Sequence, residues 1–378
     1  MSLENFDNLG ISDNILRGIY SYGFEKPSSI QNKAIPVFLE RKDIIAQAQS
    51  GTGKTGAFVI GSLCNIDITQ KQTQLLILLP THELVNQVYD VISEISKYLN
   101  IDIIKLIGGT PVSNSIRELD SNPHIVIGSP GRILDMIQRG KFKTNFLKML
   151  VLDEADEILS YGFKETIYNI IITIPKSSQI CLFSATLPNE ILELTEKFMN
   201  NPEKILVKNE ELTLEGIQQY YISVKNNDWK YDIIVDLYDI INISQCIIYI
   251  NNKSKIIELY ERLLQENFPI SYISSDRNSE ERKEIMNDFK SGKIRILLSS
   301  DLLSRGIDIQ QLSLVINYDL PKEKETYIHR IGRSGRYGRK GYAINLINNR
   351  EIEKLSEIET FYNTQINEMP SNIDEIIN

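Results

Sequence analysis

The fold is decided by one stretch of the sequence, Asp43–Ile60, which reads DIIAQAQSGTGKTGAFVI. Its apolar residues Ile44–Ala46 predict a short buried strand, and Lys54–Leu63 predicts a helix. The loop between them is small, polar and glycine-containing, and it leads into the helix through Gly53. Backbone N–H groups at the start of such a helix point at a bound anion, and the helix dipole favours that anion. The stretch therefore predicts a phosphate-binding loop.

The loop also carries the side chains that nucleotide chemistry needs. Lys54 would reach the β- and γ-phosphates, and the Thr55 hydroxyl would ligate Mg²⁺. The sequence departs from the general G-x-x-x-x-G-K-[ST] pattern because Ala48 stands where the first Gly is expected. An ordinary glycine-rich turn is the alternative, and the flanking strand and helix disfavour it. The loop residues predicted to contact the nucleotide are Ser50, Gly51, Thr52, Gly53, Lys54 and Thr55.

Size and composition limit the classes of protein. A chain of 378 residues predicts two domains. The net charge is −9, and the acidic excess is spread over both halves, so nucleic acid would have to bind in a local cleft. The N-terminus lacks the pattern of a signal peptide, and no apolar run reaches membrane length. We therefore expect a soluble intracellular protein that does not bind membranes.

Short apolar runs alternate with helical stretches along the chain, starting at Ile44. Near-continuous apolar strands separated by helices predict a parallel sheet covered on both faces, and ligands bind such sheets where the strands end. The pattern lapses near residue 210 and then resumes without a second phosphate loop. We predict an α/β fold with an N-terminal domain at residues 1–206, a linker at 207–217 and a similar C-terminal domain at 218–378.

An acidic group follows one of the predicted strands. Residues 149–156 read MLVLDEAD, an apolar strand that ends in carboxylates. With a phosphate loop upstream, Asp153 is placed to hold Mg²⁺ and Glu154 to activate the attacking water. A solvated acidic turn is the alternative, and the preceding strand and the phosphate loop make it the weaker interpretation.

Three arginines recur every three residues in YIHRIGRSGRYGRKG, at Arg330, Arg333 and Arg336. A basic helical face that binds RNA phosphates is one interpretation, but the interleaved glycines disfavour a regular helix. Guanidinium groups on a glycine-rich segment suit a transferred phosphoryl group, as arginine fingers supplied by the second domain. ATP would then bind in the cleft between two domains and close it.

Together these motifs resemble the DEAD-box RNA helicases of superfamily two, whose name is spelled by residues 153–156. Residues 23–31 (GFEKPSSIQ) resemble the adenine-reading motif, residues 184–186 (SAT) the motif that links hydrolysis to strand separation, and residues 301–308 (DLLSRGID) and 329–336 (HRIGRSGR) the last two motifs. The resemblance implies two tandem RecA-like domains, ATP and Mg²⁺ as cofactors, and an RNA-stimulated ATPase that locally unwinds short RNA duplexes. The nearest branches act in translation initiation and in the exon-junction complex. An ATP-gated RNA clamp in an mRNA–protein complex therefore stays open as the alternative.

The resemblance also implies a role for individual positions. Besides the phosphate loop, the ATP-binding positions are Phe24, Lys26, Gln31, Gly306, Asp308, Arg333, Arg336 and Tyr337. Positions that couple the two domains are Asp156, Ser184, Thr186, His329 and Arg330. The RNA-binding positions are Pro80, Thr81, His82, Glu83, Gly108, Gly109, Ser129, Gly131, Arg132, Asp135, Asn251, Arg282, Ser300 and Arg305. Most would touch phosphate and ribose, so recognition should not depend on base sequence.

Three positions depart from the family pattern. His82 replaces an arginine, which removes an RNA phosphate contact or makes it depend on pH, unless the change is a tolerated surface substitution. Ser274 and Ser275 replace His-Gly, and Ser129 replaces a threonine while keeping the hydroxyl. We expect weaker RNA affinity than in a typical relative and intact ATPase chemistry. We also expect a monomer that binds single-stranded RNA and initiation scaffold proteins in the cytoplasm, with the nucleus or a viral factory as alternative locations.

Overall fold

The chain forms two compact units, residues 1–208 and 209–378. The computed structural model describes residues 5–48, 52–160, 162–206, 217–226, 228–240, 245–274, 276–301, 312–332 and 341–370. In this part of the chain, no helix is long and apolar enough to cross a membrane.

The first unit is a parallel sheet of seven strands with helices between them. The strands are β1 Ile44–Gln47, β2 Leu75–Leu78, β3 Ile103–Leu106, β4 Ile125–Gly128, β5 Met149–Leu152, β6 Gln179–Ser184 and β7 Glu203–Leu206, in the order β3-β4-β2-β5-β6-β1-β7. A 3₁₀ helix covers Phe6–Leu9. The helices are α1 Asp13–Tyr22, α2 Ser29–Leu39, α3 Lys54–Leu63, α4 His82–Ile95, α5 Val112–Leu119, α6 Pro130–Gln138, α7 Ala155–Ser160, α8 Lys164–Ile171 and α9 Asn189–Phe198.

Successive residues of a strand point to opposite faces of the sheet, and both faces of this sheet are covered. Leu75 and Ile77 of β2 belong to the apolar core on one face, whereas Leu76 and Leu78 belong to the core on the other. All four side chains are fully buried. This double burial explains why the strands read as continuous apolar runs in the sequence.

The second unit repeats this arrangement. Its strands are β8 Ile217–Val224, β9 Cys246–Tyr249, β10 Ile270–Ile273, β11 Ile296–Ser299, β12 Leu314–Asn317, β13 Gly341–Asn348 and β14 Asn367–Glu368, in the order β10-β11-β9-β12-β13-β8-β14. Its helices are α10 Trp229–Ile240, α11 Lys253–Gln265, α12 Ser279–Lys290, α13 Lys324–Ile331 and α14 Ile352–Tyr362. The strand order matches that of the first unit, position by position, and the predicted fold class is confirmed.

The edges of the sheets are where the sequence analysis was incomplete. The edge strands β7 and β14 were not predicted, because β7 buries one of its four residues and β14 has only two residues, both exposed. Strand β8 begins at Ile217, which the sequence analysis placed at the end of the linker. The remaining linker residues, 207–216, lie outside the described residues.

Candidate active site

The helix that follows the phosphate loop begins as the sequence predicts. Gly53 is the residue before helix α3, and its φ of 100° lies in the left-handed region that favours glycine. Lys54 opens the helix and is buried, whereas Thr52 and Thr55 are half-buried. The first turn therefore presents backbone N–H groups that have no partner within the helix, and a lysine side chain, near the end of β1.

The predicted adenine-reading segment packs against this loop. The Gln31 side-chain amide donates from Nε2 to the Gly53 carbonyl at 3.2 Å, and its Oε1 accepts from the Ser28 N–H at 2.9 Å. Phe24 is half-buried and stacks on Phe6 with ring centroids 6.4 Å apart. Gln31 therefore joins the predicted adenine-reading segment to the phosphate loop, and Phe24 of that segment stays partly exposed. Lys26 of the same segment is exposed.

The carboxylates after β5 lie beneath the lysine of the loop. Lys54 Nζ is 3.3 Å from Glu154 Oε1, and both side chains are buried. Glu154 has a φ of 51°, and its N–H donates to Asp153 Oδ1 at 3.0 Å. A non-glycine residue held in this left-handed conformation is a strained position of the kind found at functional sites.

Burial and neighbouring charges shift the pKa values of Asp153 and Lys54. Burial raises the pKa of Asp153 to about 7; the Glu154 carboxylate adds to the rise and the Lys54 ammonium opposes it. For Lys54, burial acts to lower the pKa, but the negative charges of Glu154, Asp153 and Asp156 outweigh it, so the pKa is raised. Lys54 is therefore fully charged at neutral pH and available to phosphate.

Asp156 connects the carboxylate group to the end of β6. Thr186 donates to Asp156 Oδ2 from its hydroxyl at 2.7 Å and from its N–H at 3.2 Å. The Asp156 N–H donates to Ser184 Oγ at 3.2 Å. The three residues predicted to couple the domains from the first unit are therefore bonded to one another next to the nucleotide site.

The predicted RNA positions of the first unit follow β2, β3 and β4, either on the loops or in the first two turns of helices α4 and α6. Thr81 is the cap of helix α4, and its hydroxyl accepts from the Leu84 N–H at 3.3 Å. A Cβ on Gly108 would lie 3.5 Å from His82 Nε2, so His82 is next to the loop after β3. Pro80 is buried, and Glu83 and Ser129 are half-buried. Thr81 acts mainly on its own helix, whereas His82 and Gly108 share one surface.

Arg132, one of the predicted RNA positions, makes several hydrogen bonds within the first unit. It is buried, and its guanidinium donates to the Thr110 carbonyl at 2.6 Å, the Thr110 hydroxyl at 3.0 Å and Ser115 Oγ at 2.6 Å. The arginine therefore holds the loop after β3 in place. The sequence analysis missed Thr110 and Ser115, although both are polar residues close behind Gly109. Asp135, one turn further along α6, pairs with Arg139 at 2.7 Å.

In the second unit, Arg330 is the centre of a buried polar network. Its guanidinium donates to Asp301 Oδ1 at 2.6 Å, Asn251 Oδ1 at 2.7 Å, Asn317 Oδ1 at 3.1 Å and the Asp319 carbonyl at 2.7 Å. These four groups follow β11, β9 and β12 or end them, so one side chain ties three strand ends together. Asn251 was a predicted RNA position and Asp301 opens the predicted motif at residues 301–308. The sequence analysis assigned no role to Asn317 and Asp319, although they end or follow a strand.

Other predicted positions of the second unit lie nearby or outside the described residues. Asn251 uses its side-chain amide to donate to the Leu320 carbonyl at 2.8 Å, so both of its side-chain atoms are engaged. His329 is buried, and Ser300 and Arg282 are half-buried. The predicted positions outside the described residues are Ser50, Gly51, Arg305, Gly306, Asp308, Arg333, Arg336 and Tyr337, with the divergent position Ser275.

Comparison with known proteins agrees with this geometry. The sequence profile of the DEAD/DEAH box helicases matches residues 28–194, and that of the helicase conserved C-terminal domain matches residues 229–338. The chain is 54% identical to the ATP-dependent RNA helicase eIF4A of Debaryomyces hansenii, over 99% of this chain and 94% of the relative. It is 49% identical to eukaryotic initiation factor 4A of Caenorhabditis elegans, over 99% of this chain and 93% of the relative.

Comparison with a solved structure supports the same family. Dbp5 of S. cerevisiae bound to RNA and ADP BeF3 aligns with a TM-score of 0.91 at 32% identity, covering 99% of this chain and 98% of that one. The resemblance predicted from the motifs is confirmed. The chain therefore belongs to the DEAD-box family of ATP-dependent RNA helicases and is similar to eIF4A among its members.

Proposed function

We propose that this helicase hydrolyses ATP in response to single-stranded RNA and uses each cycle to open a short RNA duplex locally during translation initiation. The observation that carries the proposal is the buried contact of Lys54 with Glu154 at the start of helix α3. A cation and a carboxylate therefore meet beside the first backbone N–H groups of α3, as a phosphate-cleaving site requires. The nearby hydrogen bonds that Thr186 donates to Asp156 link the carboxylate group to the segment after β6.

In this proposal each side chain of the nucleotide site has one task. Lys54 would neutralise the phosphates, and Glu154 would orient the attacking water and accept its proton. Hydroxyl and carboxylate oxygens are the ligands that Mg²⁺ prefers, so the Thr55 hydroxyl and the Asp153 carboxylate fit this ion. When bound, Mg²⁺ neutralises charge on the phosphates. A nearby cation would also favour the ionised form of Asp153, whose pKa is raised by burial.

Coupling to RNA would come from closure of the two domains. In this proposal Arg333 and Arg336 act as arginine fingers on the γ-phosphate, and the predicted RNA positions of both domains hold one strand along its backbone. ATP and RNA would then tighten each other's binding by the same factor. An acidic protein with only a local basic cleft should bind RNA modestly and lose affinity as salt rises.

One relative is named eukaryotic initiation factor 4A, which supports a role in initiation. In this proposal the protein acts in the cytoplasm as a monomer that binds initiation scaffold proteins. The alternative is an ATP-gated clamp that stays closed on mRNA. The two differ in turnover, because a clamp hydrolyses ATP slowly and releases RNA slowly without its partners.

Strand separation tests the proposal directly. A short RNA duplex with a fluorescent strand should separate when the chain and ATP are added, and it should stay paired with ADP. A DNA duplex of the same sequence is the control, and it should not separate. ATP-dependent RNA binding without any strand separation would contradict the unwinding proposal and favour the clamp.

A further inference from the structure

A cavity of about 340 Å³ opens at the edge of the first sheet where its strands begin. It is lined by Arg41, just before β1, by residues 145–149 at the start of β5, and by residues 175, 177 and 179 at the start of β6. Asn65, just beyond the C-terminal end of helix α3, completes the lining. Because parallel strands carry the nucleotide site at their other ends, this cavity is separate from the candidate active site.

Two cations line the cavity, and both have neutral partners. Arg41 Nε donates to Asn65 Oδ1 at 3.4 Å, and Lys148 Nζ donates to Gln74 Oε1 at 2.8 Å. No carboxylate lines the cavity. Within the described ranges, no salt bridge of 4.0 Å or less involves either cation, and the charge of Lys148 reaches Asp67 only from farther away. In an acidic protein, these cations are available to an anionic ligand.

The cavity lining also includes a buried side chain with an unpaired hydrogen-bond acceptor. Gln179 lines the cavity and is 4% exposed. Its Nε2 donates to the Lys42 carbonyl, but its Oε1 has no hydrogen-bond partner in the described structure. Buried polar atoms are nearly always paired, so a ligand donor that reaches this oxygen would stabilise the complex.

The mouth of the cavity is apolar. Phe146 lines the cavity and is 45% exposed, and Ile172 on the adjacent loop is 69% exposed. The two loops are tied together because Thr144 Oγ1 donates to the Thr173 carbonyl at 2.7 Å. Exposed apolar side chains around a polar pocket are typical of a surface that binds another protein.

We propose that this cavity binds an acidic peptide segment of a partner protein. A carboxylate of the segment lies between Arg41 and Lys148, and a peptide N–H donates to Gln179 Oε1. An aromatic or aliphatic side chain of the segment packs on Phe146. A nucleic acid fits less well, because the site has two cations and an apolar mouth in place of a row of basic side chains.

Methyl NMR of the full chain tests the proposal. Met149 lines the cavity and is one of six methionines, so ¹³C-methyl labelling gives it a resolvable signal. The probe is an equimolar pool of tetrapeptides, each with two acidic residues and one Phe or Leu. The control pool has Asn and Gln in place of the acids. We expect a saturable shift of the Met149 signal with the acidic pool only, and the shift should weaken as salt rises.

Paired variants identify the site. The double variant Arg41→Gln/Lys148→Gln should bind the acidic pool at least about tenfold more weakly, because it loses two charge-assisted hydrogen bonds. The matched control Lys143→Gln/Lys176→Gln removes two exposed lysines from the same loops and should bind normally. None of the four belongs to the ATP or RNA positions, so unchanged ATP hydrolysis shows that each variant is folded.

Three results would overturn the proposal. One is the absence of a Met149 shift with the acidic pool, and another is an equal shift with the neutral pool. The third is a shift caused by single-stranded RNA with none from the acidic pool, which would identify a nucleic-acid site.

Discussion

Replacing Arg330 with methionine is the change that tests most directly how the second unit is held together. The arginine is fully buried and donates to Asp301, Asn251, Asn317 and the Asp319 carbonyl. Methionine fills a similar length but donates nothing, so these acceptors lose their shared partner. The ends of β9, β11 and β12 would no longer be tied together.

The expected loss in the free energy of unfolding follows from the number and kind of hydrogen bonds that the substitution removes. Asp301 is 40% exposed, so water can replace the lost donor there. The three other acceptors lose a buried donor at about 1–3 kcal/mol each, or roughly 4 kcal/mol together. Urea lowers the free energy of unfolding by about 2 kcal/mol for each molar unit in domains of this size. Arg330→Met should therefore lower the urea midpoint of the second unit by about 2 M.

Trp229 provides the measurement, because it is the only tryptophan of the chain and lies on α10 in the second unit. Its fluorescence should follow unfolding of that unit. The control is Lys293→Met, which breaks an exposed ion pair with Asp288 and should leave the midpoint unchanged. A loss below about 1 kcal/mol for Arg330→Met would refute the view that Arg330 holds the strand ends.

Three further substitutions have expected outcomes. In Gly56→Ala the new Cβ would lie 2.5 Å from Gln31 Nε2. This overpacking should weaken the binding of a fluorescent ATP analogue about tenfold, and unchanged affinity would contradict the packing described. Thr186→Val removes the hydrogen bond from the threonine hydroxyl to Asp156. ATP hydrolysis should persist while strand separation falls about tenfold. Equal loss of both activities would argue against a role of Thr186 in coupling hydrolysis to strand separation. Gly131→Ala meets no atom closer than 3.9 Å and replaces a helical glycine, so thermal stability should not fall. RNA affinity, measured by fluorescence anisotropy, should fall about tenfold if RNA backbone approaches there, and unchanged affinity would remove Gly131 from the RNA path.

The fold could be predicted because both faces of each sheet are buried. Leu75 to Leu78 form an unbroken apolar run, and the structure buries them alternately in two cores. The edge strands gave no such signal, since Glu203 and Lys204 are exposed and pair along only one side. A strand that is buried on both faces appears in the sequence as a continuous apolar run, whereas an exposed edge strand does not.

The candidate site was predictable wherever a motif fixes the backbone. The left-handed Gly53 and the start of α3 at Lys54 follow from the motif alone. The setting of Arg132 could not be predicted, because its bonds depend on where Thr110 and Ser115 fold, and neither forms a recognisable spacing with it. A sequence motif can predict that a residue belongs to the site, but its hydrogen-bond partners depend on the folded structure.

The most direct test of the account is ATP hydrolysis by the full chain with and without single-stranded RNA, for the natural sequence and for Glu154→Gln. The glutamine can keep its contact with Lys54 but cannot accept a proton from water. The account predicts hydrolysis that RNA stimulates strongly in the natural sequence and that is lost in the variant, with ATP binding retained. Hydrolysis that ignores RNA, or that persists in Glu154→Gln, would contradict it.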